Sequence, residues 1–179
     1  MKNQWLKDET ITLRAPEPED LELMYAMEND TTLWSAGNAT LPYSRYTLRA
    51  YLEQSRQDLL SERQARFVIE TAGGERAGMI DLADYDPINS RAEVCIGLLG
   101  CYRGKGIATR ALQLLCTYAS ERLHLHQLFA YIPEWNEESF ALFEKNGFEK
   151  TAILKDWLKE KKGFVDVVLM QKTEKDPLF

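Results

Sequence analysis

Apolar and polar residues alternate through TITLRAP (Thr10 to Pro16), the period of a strand with one face in a core. The next stretch, EPEDLELMYAMEND, sets Leu21, Met24 and Tyr25 at helical spacing behind an acidic start and closes on Asn29-Asp30, which predicts a short helix. No period runs through NDTTLWSAGNATLPY, residues 29–43, and an irregular segment of this kind is a candidate substrate loop. Helical spacing resumes over 44–60, SRYTLRAYLEQSRQDLL. ARFVIET, RAGMIDLADYD and RAEVCIGLL follow as three β-like runs, separated by the turn formers AGGE and DPINS, and predict an antiparallel meander. Ala108, Ala111, Leu112, Leu115 and Ala119 then make one apolar stripe, with Arg110, Gln113, Thr117 and Ser120 on the other side of the same helix. HQLFAYI reads as a strand, NEESFALFEKNGF as a helix capped by Asn136 and stopped by Asn146-Gly147, and DVVLMQK as a final strand. The order is strand, two helices, three strands, helix, strand, helix, then strands. It predicts an α+β or mixed α/β fold, in one domain over residues 1–179, with a mostly antiparallel first half.

Charge and composition narrow the partners. A formal net charge of −6 argues against binding nucleic acid, whose phosphates demand clustered Lys and Arg, and favours a cationic or neutral substrate. MKNQWLKDET lacks the apolar core of a signal peptide, and no apolar run reaches the roughly 18 residues of a membrane span, so a cytoplasmic protein without membrane contact is expected. Cys95, Cys101 and Cys116 are odd in number and lack metal-ligand spacing, and His124 and His126 sit together on one short segment, so neither disulfide nor metal is expected.

The segment CYRGKGIATRAL, Cys101 to Leu112, carries the first chemistry. Gly104 and Gly106 permit positive φ or a close approach of the backbone, and a helix starts directly after them. Unpaired N–H groups at a helix start, together with the helix dipole, suit a phosphate. A P-loop is excluded because Gly106, not Ser or Thr, follows Lys105. A dinucleotide fingerprint is excluded because Thr109 stands where Gly or Ala is needed, and no acidic residue follows about 20 positions later. An ordinary loop entering a helix is the other reading of these glycines.

Arg103, Gly106 and Ala108 fit the pattern Gln/Arg-x-x-Gly-x-Gly/Ala, preceded by the strand AEVCIGLL and followed by the helix NEESFALFEKNGF. In these three features the chain resembles the GNAT superfamily of acetyl-CoA-dependent N-acetyltransferases, nearest the branch of spermidine and ribosomal-protein N-terminal acetyltransferases. The resemblance implies a mixed, mostly antiparallel central sheet with a parallel splayed strand pair and flanking helices. It implies acetyl-CoA as co-substrate without a metal, a small-molecule or peptide amine as acceptor (polyamine and protein N-terminus included), and leaves a homo-oligomer open. Backbone N–H groups of Arg103, Gly104, Lys105, Gly106, Ile107, Ala108 and Thr109 are then expected to cradle the pyrophosphate of coenzyme A, with charge from Arg103 and Lys105. Pantetheine is expected along Ile96, Gly97 and Leu98, near Asn136 and Ser139, although Asn136 also reads as a plain N-cap.

Acetyl transfer to an amine requires that the amine lose a proton and that the departing thiolate gain one. Glu93, in the strand that leads to the loop, is the expected base, acting through water; an ion pair with Arg91 or a solvent-facing position is the alternative. Alternation puts Glu93 on the face of Cys95 and Gly97, opposite Val94, Ile96 and Leu98, without saying which face is the cleft. The family's usual tyrosine acid is matched by Phe143, which has no proton to give; Tyr131, Tyr102 and Tyr85 are conceivable replacements. His124 and His126 suit the helix C-terminus. Trp34 and Tyr43 are candidate acceptor-binding residues, and Thr40-Leu41 precede Pro42-Tyr43 where the polyamine branch commonly carries acids. A CoA-binding sensor or regulatory module with little turnover is the reading from another functional class.

Overall fold

The computed structural model describes residues 5–31, 41–55, 58–160 and 163–174. β1 (Ile11–Arg14) leads through a 3-10 turn at Pro18–Asp20 into α1 (Leu21–Glu28). α2 (Arg45–Gln54) and the single-turn α3 (Leu59–Glu62) precede the meander β2 (Ala65–Thr71), β3 (Arg76–Asp86) and β4 (Arg91–Leu98). A 3-10 turn at Gly100–Tyr102 leads to α4 (Ile107–Glu121), followed by β5 (Gln127–Pro133), α5 (Glu137–Lys145), β6 (Glu149–Glu160) and β7 (Gly163–Thr173). The strands form one sheet in the order β1-β2-β3-β4-β5-β7-β6. β4 and β5 are parallel, and the other neighbours are antiparallel. The mixed, mostly antiparallel sheet with flanking helices is the predicted architecture.

Two details differ from the pattern. The helix expected over 44–60 ends at Gln54, where Ser55 turns extended (ψ 122), and Asp58 caps a separate turn by accepting from the Leu60 N–H at 3.2 Å. Ser and Asp near a helix end offer the backbone such local alternatives. The twelve-residue β6 carried no readable alternation because it is the sheet edge and is exposed along most of its length. Register breaks at Lys150/Ala152 and Leu154/Leu158 further scramble its period.

Each face of the sheet has its own core. α4 and α5 cover one, packing Leu112, Leu115 and Phe140 on Ile80, Val94 and Ala130. α1 and α2 cover part of the other, with Leu23, Met24, Met27 and Leu48 on Val68 and Met79. Each fully buried Leu or Met contributes about 1.5–3 kcal/mol. Among the described residues this second cluster takes Val68 of β2 and Met79 of β3. In β4, Ala92, Val94 and Leu98 enter the first core, while Glu93, Cys95 and Gly97 alternate onto the partly covered face. The orientation that alternation left open is thereby fixed.

Candidate active site

β4 and β5 pair at only three positions, Arg91↔Gln127, Ala92↔Leu128 and Glu93↔Phe129. Beyond Glu93 they diverge, β4 remaining on β3 and β5 on β7. The wedge holds a groove of about 200 Å³ between Val94–Gly97 and Ala130–Pro133, with Asn136, Ser139 and Phe143 of α5 along one side. Gly78 of β3 brings β4 into place: a Cβ there would lie 2.2 Å from the Gly97 carbonyl oxygen, so only glycine allows this approach. A lone glycine inside a strand pattern is the sequence signal for it.

At the end of β4 the chain turns into the loop. Gly104 and Gly106 have φ of +72° and +78°, and no atom lies within 4 Å of a Cβ built on either. Both glycines therefore take a left-handed backbone that other residues rarely adopt, and neither is crowded by protein atoms. Gly106 is the N-cap of α4, whose first ladder bond runs from the Arg110 N–H to the Gly106 carbonyl at 3.1 Å. The N–H groups of Ile107, Ala108 and Thr109 thus lie outside the helical ladder. The Arg103 N–H is already given to the Gly100 carbonyl at 3.2 Å, and its Nε to the Leu98 carbonyl at 3.2 Å. The donor run begins one residue later than Arg103, whose side chain ties the loop to β4. Lys105 Nζ lies 5.5 Å from the centre of the Tyr102 ring. Loop and groove adjoin at β4, and their directed donors and apolar channel fit a phosphate-bearing thioester.

Glu93 stands where the strands part and lines the groove. Burial raises its pKa; the Cys95 thiol draws it down, and the Asp84 charge pushes it up. It is not paired with Arg91, which reaches Asp86 at 3.3 Å. Cys95 is open to water at the groove floor yet walled by protein, and that enclosure plus the Glu93 and Asp81 charges push its thiol far up, so it is neutral at physiological pH. Along the α1 side of the groove, Arg66 bonds Glu28 at 2.7 Å and Asp81 at 2.8 Å. Burial raises the Asp81 pKa, with Arg66 acting against it.

Residues 10–149 match the family described as "Acetyltransferase (GNAT) domain". The chain belongs to the GNAT acetyltransferase family. It is 32% identical over 139 residues to the spermidine N(1)-acetyltransferase of Escherichia coli (strain K12), covering 78% of this chain and 73% of that one. Over 85 residues it is 36% identical to a putative ribosomal N-acetyltransferase, YdaF, of Bacillus subtilis (strain 168), covering 48% and 46%. Its fold superposes with a TM-score of 0.82 and 25% identity on the spermidine N-acetyltransferase from Vibrio cholerae crystallised with CoA and spermine, covering 93% of this chain and 96% of that one.

This GNAT chain is an acetyl-CoA-dependent N-acetyltransferase. Its groove collects Glu93, Ile96, Gly97, Asn136, Ser139 and Phe143 of the expected site residues. The Leu98 side chain turns into the first core. Asn136 caps α5, its Oδ1 accepting from the Ser139 N–H at 3.1 Å, while also lining the groove. Phe143 is buried against Phe148, ring centres 4.9 Å apart and nearly perpendicular, so it joins core to groove wall. Of the three tyrosines considered as acids, Tyr131 lines the groove and Tyr102 and Tyr85 do not. His124, with φ 54 in the turn after α4, and His126 are also absent from its lining. Tyr43 sits in a neighbouring cavity of about 270 Å³ that shares Glu28 with the groove, its backbone fastened to the Asn29 side chain by bonds of 2.9 and 3.0 Å. Trp34 lies outside the described residues. Sequence reasoning missed Glu28, Arg66 and Asp81, because an Arg and two acids spread over 54 positions carry no spacing signal. Among the described residues no group of three or more His, Cys, Asp or Glu is placed to hold a metal ion.

Proposed function

We propose that the enzyme transfers an acetyl group from acetyl-CoA to a primary amine whose nitrogen enters the groove beside Glu93. The observation that carries this reading is Glu93 itself, half-buried at the point where β4 and β5 diverge and free of the Arg91 ion pair. Acetyl-CoA supplies an activated thioester. The backbone N–H groups from Gly104 to Thr109 receive its pyrophosphate, and the β4 edge at Ile96–Leu98 orients pantetheine. Glu93 takes the proton of the incoming ammonium through water, and burial, by raising its pKa, makes it a stronger base than an exposed glutamate. Phe143 has no proton for the departing thiolate; of the three conceivable tyrosines Tyr131 alone lines the groove, which supports it as the donor.

Two measurements test the reading. Acetyl-CoA at one hundred times its Kd should stabilise the fold by about 2.7 kcal/mol, and an unchanged melting temperature would defeat it. In a thiol-release assay over a panel of amines, Glu93→Gln should slow turnover by about 10²–10⁴-fold with acetyl-CoA affinity retained, the deficit shrinking at high pH where free amine is abundant. Parental activity in that variant at neutral pH would remove Glu93 from the mechanism.

A further inference from the structure

The groove adjoins an aromatic surface of which the proposed transfer chemistry uses only the Tyr131 hydroxyl. Glu93 and Phe129 are register partners, so Tyr131 follows on the same face about 7 Å farther along β5. Phe129 is buried and meets Tyr131 edge-on at 5.6 Å, holding the tyrosine ring from behind. On its other side Tyr131 stacks on Trp157 of β6, ring centres 6.3 Å apart and planes within 23°. Tyr131, 39% exposed, lines the groove, and Trp157, 57% exposed and stacked on it, extends that apolar surface beyond the lining. Trp135, whose Nε1 donates to Glu160 at 2.8 Å, fastens the β5–α5 turn to the end of β6.

The opposite wall is of another kind. Its acids, Glu28 and Asp81, both bond Arg66, so a second cation on the acceptor would have to compete with a guanidinium already in place. Apolar surface next to the base, with acids already bonded across from it, selects an amine with an apolar body over one with a row of charges.

We propose that the acceptor carries an aromatic ring two or three atoms from its primary amine, the ring lying on the Tyr131–Trp157 ledge while the nitrogen reaches Glu93, and that Trp157 is a specificity-determining residue. This rests on the acetyl transfer proposed above. The same chemistry is found in a free arylalkylamine and in the amino-terminal residue of a peptide that begins with Phe. Ring stacking of this type changes affinity by about twofold to tenfold beyond the area it covers.

The test is steady-state acetylation at saturating acetyl-CoA with 2-phenylethylamine, tryptamine, butylamine, spermidine and a short peptide beginning with Phe. The ring-bearing amines should exceed butylamine and spermidine by about tenfold or more in kcat/KM, and the better of peptide and free amine identifies the source. Trp157→Ala should raise KM for the ring-bearing acceptors about fivefold to tenfold, leaving their kcat, the KM for butylamine and the thermal shift by acetyl-CoA unchanged; Trp157→Phe should recover most of the loss. Spermidine as the best acceptor would overturn the proposal. So would a Trp157→Ala variant that acetylates every amine as the parent does, or one that changes only the size of the protein on gel filtration, which would make the ledge a contact between copies of the chain. Turnover without ring preference defeats this inference alone, whereas absence of both thermal shift and turnover defeats the acetyl transfer on which it rests.

Discussion

Two clusters of arginine and carboxylate, one at each end of the β2–β3 pair, put the same groups to different uses. Near β1, the fully buried Asp20 is held by Arg14 at 2.7 Å and Arg76 at 2.6 Å, and Arg14 also reaches Glu70 at 2.6 Å, so two cations meet two acids. At the groove, the single Arg66 meets Glu28 and Asp81. Burial acts to raise both aspartates. At Asp20 it is outweighed by the Arg14 bonds, the Glu17 N–H and the Arg76 charge, and the pKa falls. At Asp81 burial prevails over Arg66, helped by the nearby negative Glu28, and the pKa rises. The first cluster ties β1, the entry to α1 and β3 together. The second holds two acids on one guanidinium beside the base.

The largest test of this contrast is Arg14→Met, which keeps the stem but leaves buried Asp20 with the Glu17 N–H and the half-exposed Arg76. Stripping a buried charge of a partner costs about 3–5 kcal/mol, and chemical denaturation should show a loss near 3 kcal/mol, since Arg76 remains. A loss below about 1 kcal/mol would mean that Asp20 is not a fastening point. Asp81→Asn should change stability by less than about 1 kcal/mol, because Arg66 keeps Glu28 and the cost of burying the charge disappears with it. A large loss would place both clusters in one structural class.

Titration sharpens the same comparison. A lowered pKa stabilises the fold above the unfolded value near 4, and that stability is lost as the pH falls through the folded value; the deficit of Arg14→Met should therefore shrink as acid protonates Asp20. A raised pKa does the reverse: its contribution is full below about 4 and is lost as the pH rises through the folded value, so any advantage of Asp81→Asn should grow from acid toward neutral pH. Melting curves from acid to neutral pH should give two difference plots of opposite slope, and parallel slopes would refute the assignment. The smallest effect belongs to Arg45→Met, whose exposed pair with Glu22 at 2.8 Å is open to solvent screening; its melting temperature should match the parent within error.

The sequence was enough for whatever rests on local order. Gly104 and Gly106 before an apolar helical stripe announced the donor loop, since left-handed φ and helix starts are properties of a few consecutive residues. The strands of the meander were legible because burial of one or both faces imposes their period, whereas β6, exposed at the edge, had none to show. Tertiary structure alone decided that Glu93, Cys95 and Gly97 face the α1 side of the sheet while Val94 and Leu98 enter the other core. It alone brought Arg66 to Glu28 and Asp81, stacked Trp157 on Tyr131, and set Tyr43 in the cavity that shares Glu28 with the groove. Periodicity reports how a residue relates to its neighbours in the chain, but a carboxylate's pKa and a groove's lining depend on atoms brought close by strand pairing across many residues.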